Sequence, residues 1–309
     1  MKIATYHANA TRRLALVIGD EMIDPLDAGG DPTYFADTIV FISGGEAALA
    51  AARALIDTAK RFPLDSVRLA APMIPTTILC SGSNYHAHNA EKANAPLSGR
   101  EPEFFVKTGD CVVGPDEPII HDSVLTRKLD CETELAVVIG KPGRHIAVAD
   151  APAHIFGYTI VNDVTARDRQ VRRNAEGFTW YELGRGKAFD ASAPMGPVIV
   201  TAEEFGDPQA AMLRTRINGE LRQQSSTSDM IWSCADLVHF FSINFTLRPG
   251  MMILTGTPAG TAWSSDKELG GNWQPAPGLV AATRYCEPGD VVESEIEGIG
   301  VLRNPVAKG

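Results

Sequence analysis

The sequence predicts a β-rich α+β fold, with a large domain of mixed sheets preceded by a small α+β unit. Three observations carry this. Short runs rich in β-branched and aromatic residues (ILCSG, EFFVK, ELAVVIG, FGYTIVND, GPVIV, MMILTG and VVESEI) are set apart by turn residues, as strands are. Asn218-Gly219 between LRTRI and ELRQQ is the signature of a tight hairpin with a type I′ turn. Residues 45–62 are Ala-rich and built of strong helix formers.

Residues 2–6 and 13–18 read as strands and 45–62 as a helix, giving the small unit over 1–72. The stretch RLAAPMIPTT, with Pro72 and Pro75, reads as a linker. The larger domain then spans 73–309. Within it, Pro249-Gly250 and Pro288-Gly289-Asp290 each launch a strand, and residues 164–173 and 234–245 read as helices. No repeat or low-complexity segment interrupts the pattern.

Composition narrows the function. The chain has 309 residues, 44% hydrophobic and 21% charged, enough for a sizeable core. A net charge of −10 gives a nucleic-acid role no electrostatic footprint. No apolar run approaches the roughly 20 residues that span a bilayer, and basic and polar residues break up the N-terminus where a signal-peptide core would lie. Five scattered cysteines without a CxxC predict reduced, buried thiols in a cytoplasmic protein.

Glu132 and Glu134 stand at the mouth of the apolar run ELAVVIG. Side chains at i and i+2 of a strand share a face, so two carboxylates point at one spot beside a core. Unpaired buried carboxylates are costly, so a positive partner is expected. Asp163 ends FGYTIVND and could complete a three-oxygen set. Such a set with waters suits Mg²⁺, Mn²⁺ or Ca²⁺ rather than zinc. The plain alternative is a pair of strand-end salt bridges, with Asp163 capping the helix that follows.

SGSNYHAHNAE follows the strand TTILC. His88 and Glu91 are three apart and share a helical face, so the carboxylate can orient the imidazole as a general base. His86 points elsewhere on a helix. A surface loop with an incidental pair is the alternative. Gly82, His86, His88, Glu91 and Gly99 also loosely resemble a cupin metal motif, but at spacings too short for it. Lys187 sits in LGRGKAFD, where glycines let backbone approach a ligand while the ammonium meets an anion. Arg167 and Gln170 follow Asp163 on one helical stripe, suited to hold a carboxylate and to orient a carbonyl. Thr257 ends a strand in LTGTPAG. GxSxG, GxGxxG and the phosphate-loop pattern are all absent.

In this order, these clusters resemble the fumarylacetoacetate hydrolase superfamily. The matching segments include SGSNYHAHNAE, LDCETELAVVIGK, FGYTIVNDVTARDRQ, GKAFDASAPMGPVIV, RINGELRQQSSTSDMIW and LRPGMMILTGTPAG, and the likeness runs from about residue 76 to the C-terminus. The resemblance implies a distorted β-roll of mixed sheets, commonly a homodimer, with a small N-terminal domain. It implies that Glu132, Glu134 and Asp163 hold Mg²⁺ or Mn²⁺ and that His88 and Glu91 activate water. Lys187 and Gln170 would stabilise developing negative charge, and Arg167, Thr257 and Tyr85 would contact substrate. The expected reaction is hydrolysis of a C–C bond in a 2,4-diketo acid of the acylpyruvate type. Decarboxylation of oxaloacetate-like acids and keto–enol isomerisation are the alternatives at the same site; non-catalytic binding of a metabolite is a third.

Two segments are longer than that family's compact links. VRRNAEGFTWYELGRG carries Trp180 and Tyr181; TAWSSDKELGGNWQPAPGLVAATRYCE carries Trp263 and Trp273. Both are expected to shape the substrate pocket, with dimer contact as the alternative. Cys131 is expected to face away from the carboxylates and to pack.

Overall fold

The computed structural model describes residues 1–91 and 101–309; Gly99 of the loose cupin pattern lies outside them. Among the described residues, the centre is a 12-stranded sheet. From its middle to one edge it runs Ala193–Thr201, Ile155–Asn162, Thr133–Ile139, Met252–Leu254, Ile78–Gly82 and Glu103–Lys107. A five-stranded sheet that includes the hairpin Met212–Ile217 and Glu220–Ser226 packs against one face. The fold is α+β and strand-rich, with mixed sheets, as the sequence predicts.

Thr133–Ile139 is buried at every position. Leu135, Val137 and Ile139 enter a core shared with the five-stranded sheet and the helix Cys234–Asn244. Ala136 and Val138 face the other way, into a core with Ile78, Cys80, Phe105 and Leu254. Burial on both faces explains an uninterrupted apolar run in place of alternation. Glu134 falls on the face of Ala136 by the same parity.

Lys2–Ala8 pairs antiparallel with Ala193–Thr201, so the N-terminal strands lengthen the central sheet. The expected linker carries Leu69–Ala70, which pairs with Lys2–Ala8. The helix Gly45–Ile56 covers the same face as Ala136. It ends at Ile56, short of residue 62, and Phe62 instead pairs with Met22 in the sheet. Asn218 and Gly219 both take positive φ, 54° and 81°, as a type I′ turn requires.

The segment 164–173 is not one helix. Thr165–Ala166 pairs with Leu129–Asp130, Arg167–Gln170 makes a single turn, and Val171–Arg173 pairs with Thr179–Tyr181. Long-range pairing overrides the local helical tendency there. No helix is long and apolar enough to cross a membrane among the described residues.

Candidate metal centre and active site

The antiparallel register builds the acidic cluster. Thr133 pairs with Asn162, and the Asp163 N–H donates to the Glu132 carbonyl at 2.8 Å, which sets Asp163 opposite Glu132. Cross-strand neighbours share a face. Glu132, Glu134 and Asp163 are thereby gathered, all buried, with one carboxylate oxygen of each within 4.8 Å of the others.

Cations surround the cluster. The Lys187 ammonium bridges Glu132 Oε2 and Asp163 Oδ2, the latter at 2.6 Å. Arg167 donates through Nη2 to Glu132, through Nε to Asp130 Oδ2 at 2.8 Å, and through Nη1 to Gln170 Oε1 at 2.9 Å. Lys107 lies 2.8 Å from Asp163 Oδ1. Burial opposes ionisation of Glu132, but Arg167, Lys187 and His88 outweigh it and hold its carboxyl far below the usual range. Glu134 is the exception. Among the described residues it has no ion-pair partner, and it accepts the Gly256 N–H at 2.6 Å. Burial, then Asp163 and Glu132, push its carboxyl well above the ordinary range. Asp130, Glu132, Glu134 and Asp163 thus face Arg167, Lys187 and Lys107, leaving one carboxylate in excess. A hard divalent cation suits that donor set and relieves the excess.

His88 and Glu91 meet as the spacing predicts, with Nδ1 and Oε2 2.6 Å apart and both residues buried. The other Glu91 oxygen accepts the Gly260 N–H at 2.6 Å. One loop therefore clamps both Glu134 of the acidic cluster and the dyad. Gly256 has φ of +91°, and a Cβ there would meet Asn84 Cβ at 2.8 Å, so the clamp needs glycine. His86 is exposed.

One cavity is lined by His88, the three carboxylates, Arg167, Gln170, Lys187 and Thr257, together with Tyr181 and Trp263. Thr257 donates to the Thr133 carbonyl at 3.0 Å and accepts from Gln223 at 2.9 Å. Tyr85 departs from expectation: its ring is fully buried in the apolar core and does not line the cavity, because helix entry turns it inward. Gly186 does not open backbone to a ligand; it lets the Lys187 turn pack onto Gln170, whose Cβ would lie 2.6 Å from an added Cβ. Trp180 stacks outward on Phe178, and Trp273 lies off the cavity. Cys131 packs against Cys286, Sγ to Sγ 3.7 Å.

Sequence reasoning missed Lys107, Asp130, Phe105 and Leu183. Asp130 accepts the N–H groups of Ala262 and Trp263 as well as Arg167, tying the long segment after Gly260 to the site. The lysine closing EFFVK, on the same parity as Phe105, was the one available signal.

Comparison with known proteins places these features in context. The profile of the fumarylacetoacetate hydrolase C-terminal domain matches residues 77–307. Oxaloacetate tautomerase YisK of Bacillus subtilis is 35% identical over 322 residues, covering 99% of this chain and 100% of that protein. Human mitochondrial oxaloacetate tautomerase FAHD2A is 38% identical, over 89% of this chain and 81% of its own. Among solved structures, maleylpyruvate hydrolase of Sphingobium sp. SYK-6, in complex with manganese(II) and pyruvate, superposes with a TM-score of 0.76 at 29% identity over the whole of both chains.

Proposed function

This chain belongs to the fumarylacetoacetate hydrolase family, and we propose that it is a divalent-metal-dependent keto–enol tautomerase of a small 2-oxo acid. The observation that carries the reading is the buried cluster of Glu132, Glu134 and Asp163 facing one cavity with the His88–Glu91 dyad. Relatives named oxaloacetate tautomerases, alike over 99% and 89% of this chain, support tautomerisation over the hydrolysis expected from sequence.

Mg²⁺ or Mn²⁺ held by Glu132, Glu134 and Asp163 would polarise the carbonyl of a 2-oxo acid as a Lewis acid. With that cation in place the inner cluster would carry a net positive charge, and Arg167 and Lys187, which line the cavity there, would help draw in the substrate carboxylate. Glu91 engages His88 Nδ1, which fixes the ring and assigns proton transfer to Nε2. His88 would take a proton from C3 of the keto acid and deliver it to the carbonyl oxygen to give the enol, the reverse transfer restoring the keto form. Gln170, oriented by Arg167, can donate its amide N–H to the enol oxygen. The working unit on this reading is a cytoplasmic homodimer.

Hydrolysis is the second reading, favoured by the buried dyad and by the maleylpyruvate hydrolase neighbour. Water deprotonated by His88 would add to C4 of a 2,4-diketo acid. The C3–C4 bond would then break, giving a carboxylic acid and an enol that is protonated at C3.

Enol decay of oxaloacetate and cleavage of an acylpyruvate, each with and without Mn²⁺, separate the two readings. His88→Ala should slow the working reaction by roughly 100-fold or more. Glu132→Ala should abolish Mn²⁺ binding measured by calorimetry. Full activity in chelator-treated protein would sink both.

A further inference from the structure

The strand Glu103–Lys107 runs outward from the acidic cluster. Its register against Ile78–Gly82 pairs Lys107 with Ile78, Phe105 with Cys80 and Glu103 with Gly82. Lys107, Phe105 and Glu103 therefore share one face. Lys107 touches Asp163, the Phe105 ring lies 5.2 Å from the Lys187 ammonium, and Glu103 stands exposed at the cavity mouth. At about 3.3 Å per residue, the strand carries Glu103 roughly 13 Å beyond Lys107.

Among the described residues, the walls outward of the cluster carry no counter-charge. Tyr181 and Leu183 line them, Phe105 and Trp263 lie beside Lys187 and Arg167, and both of those cations sit at the inner end. Among the described residues, no other lysine or arginine lines the cavity. The Tyr181 phenol is pushed up by burial and then by the Glu103 charge, which sets these two close together at the mouth. With a divalent cation bound, polarity thus falls from a cationic inner end to an apolar, aromatic middle, and ends on an anion.

We propose that this site takes 2-oxo acids whose far end is uncharged, aliphatic or aromatic, and that Glu103 turns away a second carboxylate at that end. The inference rests on the reading of the cavity as a 2-oxo acid site. Oxaloacetate does not conflict with it, because its second carboxylate is on the carbon beside the carbonyl and stays among the inner cations.

Two probes of equal length test it: 2-oxohexanoate and 2-oxoadipate differ only in a terminal methyl against a terminal carboxylate. Calorimetry on Mn²⁺-loaded protein at low salt should show 2-oxohexanoate binding about fivefold to tenfold more tightly, the scale of a partly screened like-charge pair. Glu103→Gln should tighten 2-oxoadipate alone and bring the two within about twofold, and added salt should shrink the wild-type gap. Equal wild-type affinities, or a substitution that shifts both probes alike, overturns the proposal. If the loaded protein binds neither probe, the 2-oxo acid reading falls, and this proposal with it.

Discussion

The ammonium of Lys107 is fully buried and surrounded by oxygen. Asp163 Oδ1 lies 2.8 Å away, the Ser192 carbonyl 2.6 Å, the Ser192 hydroxyl 3.1 Å and the Val164 carbonyl 3.3 Å. A buried ammonium is tolerated only with such partners. Lys107→Met leaves Asp163 leaning on Lys187 alone, and the expected loss is about 3–5 kcal/mol of unfolding free energy, read by urea denaturation. Added Mn²⁺ should recover part of it, since a cation at the cluster answers the same need. The pairings legible from spacing alone were those near in the chain or set by strand parity: His88 with Glu91, and Glu132 with Glu134. Lys107 and Asp130 act on residues far away in sequence, and only the register reveals them.

At the scale of elements, the expected helix over 164–173 shows where local reading ends. Its residues favour a helix, yet Thr165–Ala166 is claimed by Leu129–Asp130 and Val171–Arg173 by Thr179–Tyr181. Arg167 and Gln170 still meet, because the one surviving turn spans them. The strands were legible because two-sided burial writes long apolar runs, whereas three-residue strands leave no such mark. The turn Leu183–Lys187 rests on Gln170 through Gly186. Gly186→Ala should force that turn away, costing roughly 1–3 kcal/mol by overpacking and lowering turnover as Lys187 shifts. Denaturant midpoints and steady-state rates measured together check this; an unchanged rate in a destabilised protein would mean that Lys187 holds its place by its ion pairs.

Across the whole molecule, the central sheet separates two cores, and every cysteine lies buried. Burial pushes the Cys234 thiol up to about 12, so at pH 8 almost none is thiolate. The native protein should react slowly with Ellman's reagent and release all five thiols at once in denaturant; rapid labelling of the folded state would show a loosened core. The small N-terminal unit was legible as secondary structure, but its addition to the central sheet was not, because no local pattern encodes the pairing of Lys2 with Val200. One loop holds Glu134 through Gly256 and Glu91 through Gly260. Any change in it disturbs Glu134 and Glu91 together, whereas Glu103 and Tyr181 on the opposite bank touch neither and can be exchanged singly.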